Sequence, residues 1–96
     1  MKTKFDSIVD DIHEEYCSAC KKWPEWPTDL IHQIAIMQEE SGEAIREALR
    51  YQYNEGGTIE DLKKELIQTG AMVIRCLINL KEKQYDEHTR HNKSRF

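Results

Sequence analysis

Carboxylates at helical spacing are the side chains of this 96-residue chain best placed to do chemistry. Glu40 and Glu43 lie three residues apart, and so do Glu65 and Gln68 further along the chain. Residues three or four apart share one face of a helix, so each pair places two oxygen-bearing side chains side by side. If the two helices pack together, four oxygen ligands converge on a hard cation such as Mg²⁺, which in turn binds phosphate oxygens. The spacing therefore predicts a metal site that can hold a phosphate compound.

The second pair lies in a strongly apolar stretch, residues 62–80, where solvation does not readily explain it. One polar stripe runs along that predicted helix through Asp61, Glu65, Gln68, Arg75 and Asn79. Polar side chains in a buried helix are costly unless they are paired or bound to a metal. Glutamates at helical spacing more often form a solvated face, and we assign that simpler role to Glu47 and Glu60.

Composition narrows the class of protein. With 33% charged and 39% apolar residues, the chain has the length and make-up of one domain. No run of about 18 apolar residues occurs, which argues against a transmembrane span. The acidic N-terminal stretch does not resemble a secretory signal, so we expect a cytoplasmic protein. A net charge of −4 argues against nucleic-acid binding, which relies on clustered Lys and Arg.

Periodicity and helix breakers predict an all-α fold of three helices and a tail. The first helix spans residues 3–22 and stops at Trp23-Pro24-Glu25-Trp26-Pro27, because proline disfavours helix in the residue before it. The second starts after a cap at Thr28 or Asp29 and continues to about residue 53. A turn at residues 54–57 leads to a third helix over residues 59–83. We therefore predict a helical hairpin with an extra N-terminal helix in one domain, residues 1–83, followed by a polar tail, residues 84–96.

The third helix is apolar on so many sides that a lone hairpin and one further helix cannot cover it. We expect two copies of the chain to pair into a four-helix-bundle core with C2 symmetry. The sequence leaves open whether the homodimer pairs again into a homotetramer.

A zinc site is a minor alternative. Cys17 and Cys20 form a CxxC, and His13 lies one turn earlier on the same predicted helix. These are potential Zn²⁺ ligands, with His88 or His91 as a fourth. An odd number of cysteines does not predict a disulfide framework, and small half-buried apolar side chains are the simpler interpretation.

The stretch from Ile34 to Leu80 resembles the MazG-type nucleotide pyrophosphohydrolases, an all-α family whose signature is ExxE, a helix–turn–helix connection and then ExxD. Glu40-x-x-Glu43 matches the first half, and Glu65 opens the second half after the turn at residues 54–57. Gln68 stands where the family has Asp. Lys22-Trp23 and the segment Glu65-Leu66-Ile67-Gln68-Thr69-Gly70-Ala71-Met72 look like a short MazG-like branch found among phage and mobile-element proteins.

The resemblance implies cleavage of a nucleoside triphosphate between its α and β phosphates, giving monophosphate and pyrophosphate. It implies that Glu40, Glu43 and Glu65 hold Mg²⁺ or Mn²⁺, with Gln68 contributing a neutral oxygen or an outer hydrogen bond. Glu39 orients the attacking water or lies outside the site. The implied substrate contacts are Trp23, Lys64, Arg75 and Asn79, with Trp26 as a second candidate for base stacking. Because Gln68 removes one negative charge, the alternative is a degenerate helical dimer that binds a nucleotide or a protein partner without turnover.

Overall fold

The computed structural model describes residues 1–82, and this part of the chain is all-helical. Helix α1 spans Lys4–Lys22, α2 spans Leu30–Gln52 and α3 spans Ile59–Asn79, with no strand in the described range. The three predicted helices and the all-α class are therefore confirmed. The predicted polar tail, residues 84–96, lies outside the described residues.

Each helix begins at a side chain that caps its free backbone N–H groups. Thr3 Oγ1 accepts the Asp6 N–H at 3.0 Å, and the Asp6 carboxylate accepts the Thr3 N–H at 3.0 Å, which completes a capping box at α1. The Asp29 carboxylate accepts the His32 N–H at 2.9 Å at the start of α2. Thr58 Oγ1 accepts the Asp61 N–H at 3.0 Å at the start of α3. Each cap stabilises its helix by about 1 kcal/mol.

The turn between α2 and α3 depends on residues that tolerate unusual backbone geometry. Asn54 and Gly56 have positive φ angles of 56° and 91°, and residues other than Gly and Asn rarely adopt such angles. At Gly57, a Cβ atom would lie 2.6 Å from the Tyr51 nitrogen, so only glycine fits there. The chain reverses tightly at this point, and α2 and α3 form the predicted hairpin.

Helix α3 ends earlier than predicted, at Asn79 instead of residue 83. Leu80 leaves the helix with ψ of 124°, and its N–H bonds the Leu77 carbonyl in a tighter i to i−3 pattern. The Asn79 side chain donates to the Arg75 carbonyl at 2.8 Å, in competition with the backbone ladder. Neither Gly nor Pro marks this end, so the sequence pattern placed it too far along the chain.

Helix α3 lies between the other two helices and packs against both, while α1 and α2 make no comparable contact with each other. Ile12 of α1 sits against Gly70, where an added Cβ would approach the Ile12 Cδ1 to 3.1 Å. On the other side, the Cys76 thiol donates to the Gln33 carbonyl at 3.5 Å. Since α1 and α2 stay apart above α3, a trough opens between them.

The buried apolar core of the single chain is small. Among the described residues only three apolar residues are buried, namely Ala44, Ala71 and Cys76. Many large apolar side chains remain exposed instead. One set, which we call the apolar stripe, recurs at helical spacing and comprises Ile31, Ile34, Ile45 and Leu49 of α2 with Leu66, Val73 and Leu77 of α3 and Leu80 just beyond its end.

Over residues 1–82, no helix combines the length and the hydropathy that crossing a bilayer requires.

Candidate functional site: a charged cavity between the helices

A cavity of about 500 Å³ occupies the trough between α1 and α2, with α3 as its floor. We call it the central cavity. Its walls come from both outer helices and from the segment that joins them, and its lining residues are Glu15, Ser18, Ala19, Lys22, Trp23, Glu25, Trp26, Ile36, Glu40, Gln68, Met72 and Arg75. The cavity therefore exists because α1 and α2 pack on α3 without meeting.

Five of the candidates named from the sequence line the central cavity: Trp23, Glu40, Gln68, Arg75 and the second stacking candidate, Trp26. They come from three different parts of the chain and meet because the hairpin brings α2 and α3 side by side.

The other predicted residues lie elsewhere. Glu39, Glu43 and Glu65 are absent from the lining of the central cavity. Lys64 lines a separate open cavity beside α1, and Asn79 lines a small one near the start of α2.

Glu40 is a cavity-lining carboxylate whose negative charge is disfavoured by its surroundings. Burial raises the pKa of Glu40, and the neighbouring charges of Glu65, Glu43, Glu39 and Glu15 raise it further. Each of these effects makes the negative charge harder to hold. A cation beside Glu40 would relieve both the desolvation and the repulsion. The three predicted carboxylates outside the lining are thus close enough to act on Glu40 electrostatically.

The described side chains do not themselves enclose an ion. Within residues 1–82, no three His, Cys, Asp or Glu side chains are gathered closely enough to hold a metal. Glu43 forms an ion pair with Arg46, which turns it along its own helix. The donor chemistry fits Mg²⁺, since carboxylates and an amide oxygen face a region of unfavourable negative charge.

Arg75 carries a positive charge that no acid neutralises among the described residues. Only 4% of Arg75 is exposed. Its Nη2 donates to the Trp23 carbonyl at 2.6 Å, and its guanidinium carbon lies 4.5 Å from the centroid of the Trp26 ring. None of the ion pairs formed within residues 1–82 involves Arg75. A buried cation of this kind is costly without a counter-charge, and Arg75 faces the central cavity.

Helix α1 contributes residues to the cavity that the sequence reasoning did not assign to it. Glu15, Ser18, Ala19 and Lys22 all line it from one face of α1. Their spacing of i, i+3, i+4 and i+7 is the signature of a single helical face. That spacing is the signal in the sequence that indicates these four residues.

The predicted solvated role is wrong for Glu47 and holds for Glu60. The Glu47 side chain is only 13% exposed, so it is largely shielded from water. Its Oε1 accepts from Arg50 Nη1 at 2.9 Å, while its Oε2 is buried without a partner. Glu60 is exposed beside Lys63.

The cysteines do not assemble a metal site in the described range. Cys17 is exposed, Cys20 is half-buried and Cys76 is buried, and all three are free thiols. Burial raises the pKa of Cys76, which keeps it a neutral thiol. His88 and His91, the proposed fourth ligands, lie outside the described residues.

The fold and site define a class: a small all-helical protein whose three helices surround a cavity with an acidic and a basic side. Comparison with known proteins adds no closer relationship, since no protein-family model, curated protein or solved structure matches the chain significantly. The MazG-type family stays a prediction from the sequence.

Proposed function

We propose that the chain is a Mg²⁺-dependent nucleoside triphosphate pyrophosphohydrolase that releases pyrophosphate and leaves a nucleoside monophosphate. One observation carries the proposal. The central cavity contains a carboxylate, Glu40, crowded by other acids, and a buried cation, Arg75, without an acid partner among the described residues. A metal-bound phosphate meets both needs at once, because the cation offsets Glu40 and the phosphate oxygens offset Arg75.

The metal would be held by Glu40, Glu43 and Glu65, with Gln68 as a neutral ligand or an outer hydrogen-bond partner. When bound, Mg²⁺ or Mn²⁺ would polarise a phosphoryl oxygen and lower the pKa of a bound water. Glu43 would have to leave its ion pair with Arg46 to take part. An exposed i, i+3 pair contributes well under 1 kcal/mol, so this exchange is inexpensive.

The chain's own residues would bind and orient the nucleotide. Arg75 would contact phosphate oxygens from the floor of the cavity, and Lys22 would add a second positive charge from the end of α1. The Trp23 indole is 65% exposed at the cavity wall, which suits stacking on a base. Glu39 is exposed and outside the lining, so its role as the residue that orients water is the weakest of the assignments.

Two of the proposed substrate contacts do not line the central cavity. Lys64 and Asn79 line other cavities, on either side of the central one. The Asn79 amide already donates to the Arg75 carbonyl, so it supports the residue that would hold the phosphate.

We also propose that the functional unit is a homodimer with a four-helix-bundle core. On α3, Leu66 and Val73 lie two residues before Gln68 and Arg75, so they point about 200° away from these cavity-lining residues. The apolar stripe thus faces away from the central cavity, and covering it would leave the cavity open. The small core of the single chain supports the same conclusion, since so few buried apolar groups stabilise a domain poorly.

A catalytically degenerate dimer is the second candidate, and Gln68 is the observation that favours it. An amide at this position supplies no charge to balance Mg²⁺. Such a protein would bind a nucleotide in the central cavity without turnover, or bind a protein partner instead.

Pyrophosphate release tests the two candidates. We expect release from one or more NTPs or dNTPs, including damaged nucleotides, only with Mg²⁺ or Mn²⁺ present. Glu40→Gln should abolish it, while Glu60→Gln, which alters an exposed glutamate outside the central cavity, should leave it unchanged. Nucleotide binding without release from any substrate would favour the degenerate dimer. Release that persists in Glu40→Gln would refute the metal assignment.

A further inference from the structure

The segment that joins α1 to α2 forms one wall of the central cavity. We call residues 23–27, Trp-Pro-Glu-Trp-Pro, the aromatic wall; Trp23, Glu25 and Trp26 all line the cavity. Two prolines remove backbone donors from it, and no helix or strand includes it. Because α1 and α2 do not pack on each other, the position of this segment depends on contacts with α3 and with the start of α2.

Arg75 of α3 holds the aromatic wall through contacts between residues far apart in sequence. It bonds the Trp23 carbonyl at 2.6 Å, across 52 positions of sequence, and stacks on the Trp26 ring at 4.5 Å. The far end is held separately, since Gln33 Nε2 donates to the Pro27 carbonyl at 2.9 Å. Both Trp23 and Trp26 therefore depend on one guanidinium for their placement.

The same guanidinium faces the place where an anion would enter. Arginine has five N–H donors in a rigid planar fork, and the Trp23 carbonyl uses one of them. Arg75 also lines the central cavity and has no acid partner among the described residues. An anion that accepts hydrogen bonds from the remaining donors of Arg75 would therefore also affect the aromatic wall, because Arg75 already contacts that wall.

We propose that Arg75 positions the aromatic wall and couples it to the anion site, so that phosphate or pyrophosphate binding in the central cavity shifts Trp23 and Trp26. The inference rests on the proposed function in one respect, namely that a phosphate group occupies this cavity. Arg75 acts here as a positioning residue, through the two tryptophans. The phosphates of a bound nucleotide would thus fix the position of the aromatic wall, and this wall faces the base of the same nucleotide.

The positioning half is tested by fluorescence in a Trp23→Phe background, where Trp26 is the sole tryptophan. Arg75→Lys keeps the charge but has neither the planar stack nor the fork. We expect its Trp26 emission to shift to the red, with acrylamide quenching that approaches that of an exposed indole. Helical circular dichroism should stay intact, and Arg75→Met provides a second variant if the lysine form fails to fold. Unchanged quenching in a folded Arg75 variant would overturn the proposal.

The coupling half uses inorganic pyrophosphate without divalent metal, so it does not depend on turnover. We expect pyrophosphate to shift Trp26 emission saturably in the Trp23→Phe protein, and the shift to disappear in Arg75→Lys. Lys63→Met, which removes an exposed lysine outside the central cavity, should leave the response unchanged. Pyrophosphate that binds by calorimetry without moving Trp26 emission would overturn the coupling and leave the proposed function standing. Absence of both heat and shift would also overturn the coupling, while the proposed function is tested separately by pyrophosphate release in the presence of Mg²⁺.

Discussion

Glu40 and Arg75 approach the central cavity from different helices, and each needs an opposite charge that the described residues do not supply. Their effects on free energy are distinct. Burial and neighbouring like charges raise the pKa of the Glu40 carboxyl, whereas the Arg75 guanidinium is buried without an acid partner among the described residues and lies against the Trp26 ring. In the proposed function, one metal-bound phosphate supplies the opposite charge to both residues.

The raised pKa of Glu40 has a consequence for stability without metal. In the unfolded chain a glutamate titrates near 4.5, and in the folded chain Glu40 titrates above that value. Between the two pKa values the folded state binds more protons, so the free energy of unfolding falls as pH rises through this window. We expect Glu40→Gln to raise the melting temperature at neutral pH and to weaken this pH dependence. Thermal melts with chelator from pH 4 to pH 8 measure it, and a lower melting temperature for Glu40→Gln would contradict the electrostatic account.

Gln68 offers the sharpest test of the ligand assignment, because a single change restores a carboxylate beside Glu40. We expect Gln68→Asp to bind Mg²⁺ about tenfold more tightly, which corresponds to about 1.4 kcal/mol. Without metal, the added charge should lower the melting temperature. Gln68→Asn, which stays neutral, is the control and should change neither quantity in that direction. Calorimetric titration with Mg²⁺ that shows equal affinity for all three proteins would remove Gln68 from the metal site.

At the scale of the elements, the three helix starts followed from local chemistry. Asp29 and Thr58 cap α2 and α3 directly before the starts that the sequence predicted, and Thr3, which was placed inside the first helix, caps α1. Each short polar side chain bonds a backbone N–H close by in sequence. The end of α3 did not follow from the sequence, because no Gly or Pro marks it. The low exposure of the Glu47 side chain did not follow either, since exposure depends on how the fold surrounds a side chain. The central cavity could not be predicted from the sequence, because no sequence pattern indicates that α1 and α2 do not contact each other.

The hairpin turn gives a prediction at this scale. Gly57→Ala would place a Cβ 2.6 Å from the Tyr51 nitrogen and 2.8 Å from the Arg50 carbonyl carbon, and these backbone atoms cannot move cheaply. We expect a loss of about 1–3 kcal/mol in the free energy of unfolding.

Gly42→Ala is the matched control, since nothing lies within 4 Å of its Cβ position and alanine favours the helix interior. Urea denaturation compares the two variants. Equal stability of Gly57→Ala and the parent chain would contradict the close packing of this turn.

At the scale of the whole molecule, the exposed apolar side chains are the observation that favours the proposed dimer. Leu77 is 64% exposed, Ile31 is 74% exposed and Ile45 is 61% exposed, yet all three belong to one stripe. A stable interface covers about 800 Å² on each partner, which a stripe running along two helices can supply. In the proposed homodimer, a second copy of the chain would cover the stripe by symmetry.

A charge in the stripe should therefore damage the protein as a whole. We expect the parent chain to have the mass of a dimer or a multiple of it, and Leu66→Asp to be insoluble or unfolded. Ile74→Asp, on the side of α3 that packs within the chain, should be equally damaging. Ile8→Asp is the control, because Ile8 is exposed on α1 outside the stripe. Size-exclusion chromatography with light scattering that finds a folded monomer for the parent chain would contradict the dimer.

The central claim is that the cavity between α1 and α2 holds a metal-bound phosphate between Glu40 and Arg75. A crystal structure with Mn²⁺ and a non-hydrolysable triphosphate analogue tests it most directly, since anomalous scattering locates the ion. We expect the ion at ligand distance from the Glu40 carboxylate, about 2 Å, and a phosphate oxygen hydrogen-bonded to the Arg75 guanidinium. An ion and a phosphate bound elsewhere, with no ion at ligand distance from Glu40, Glu43 or Glu65, would contradict it.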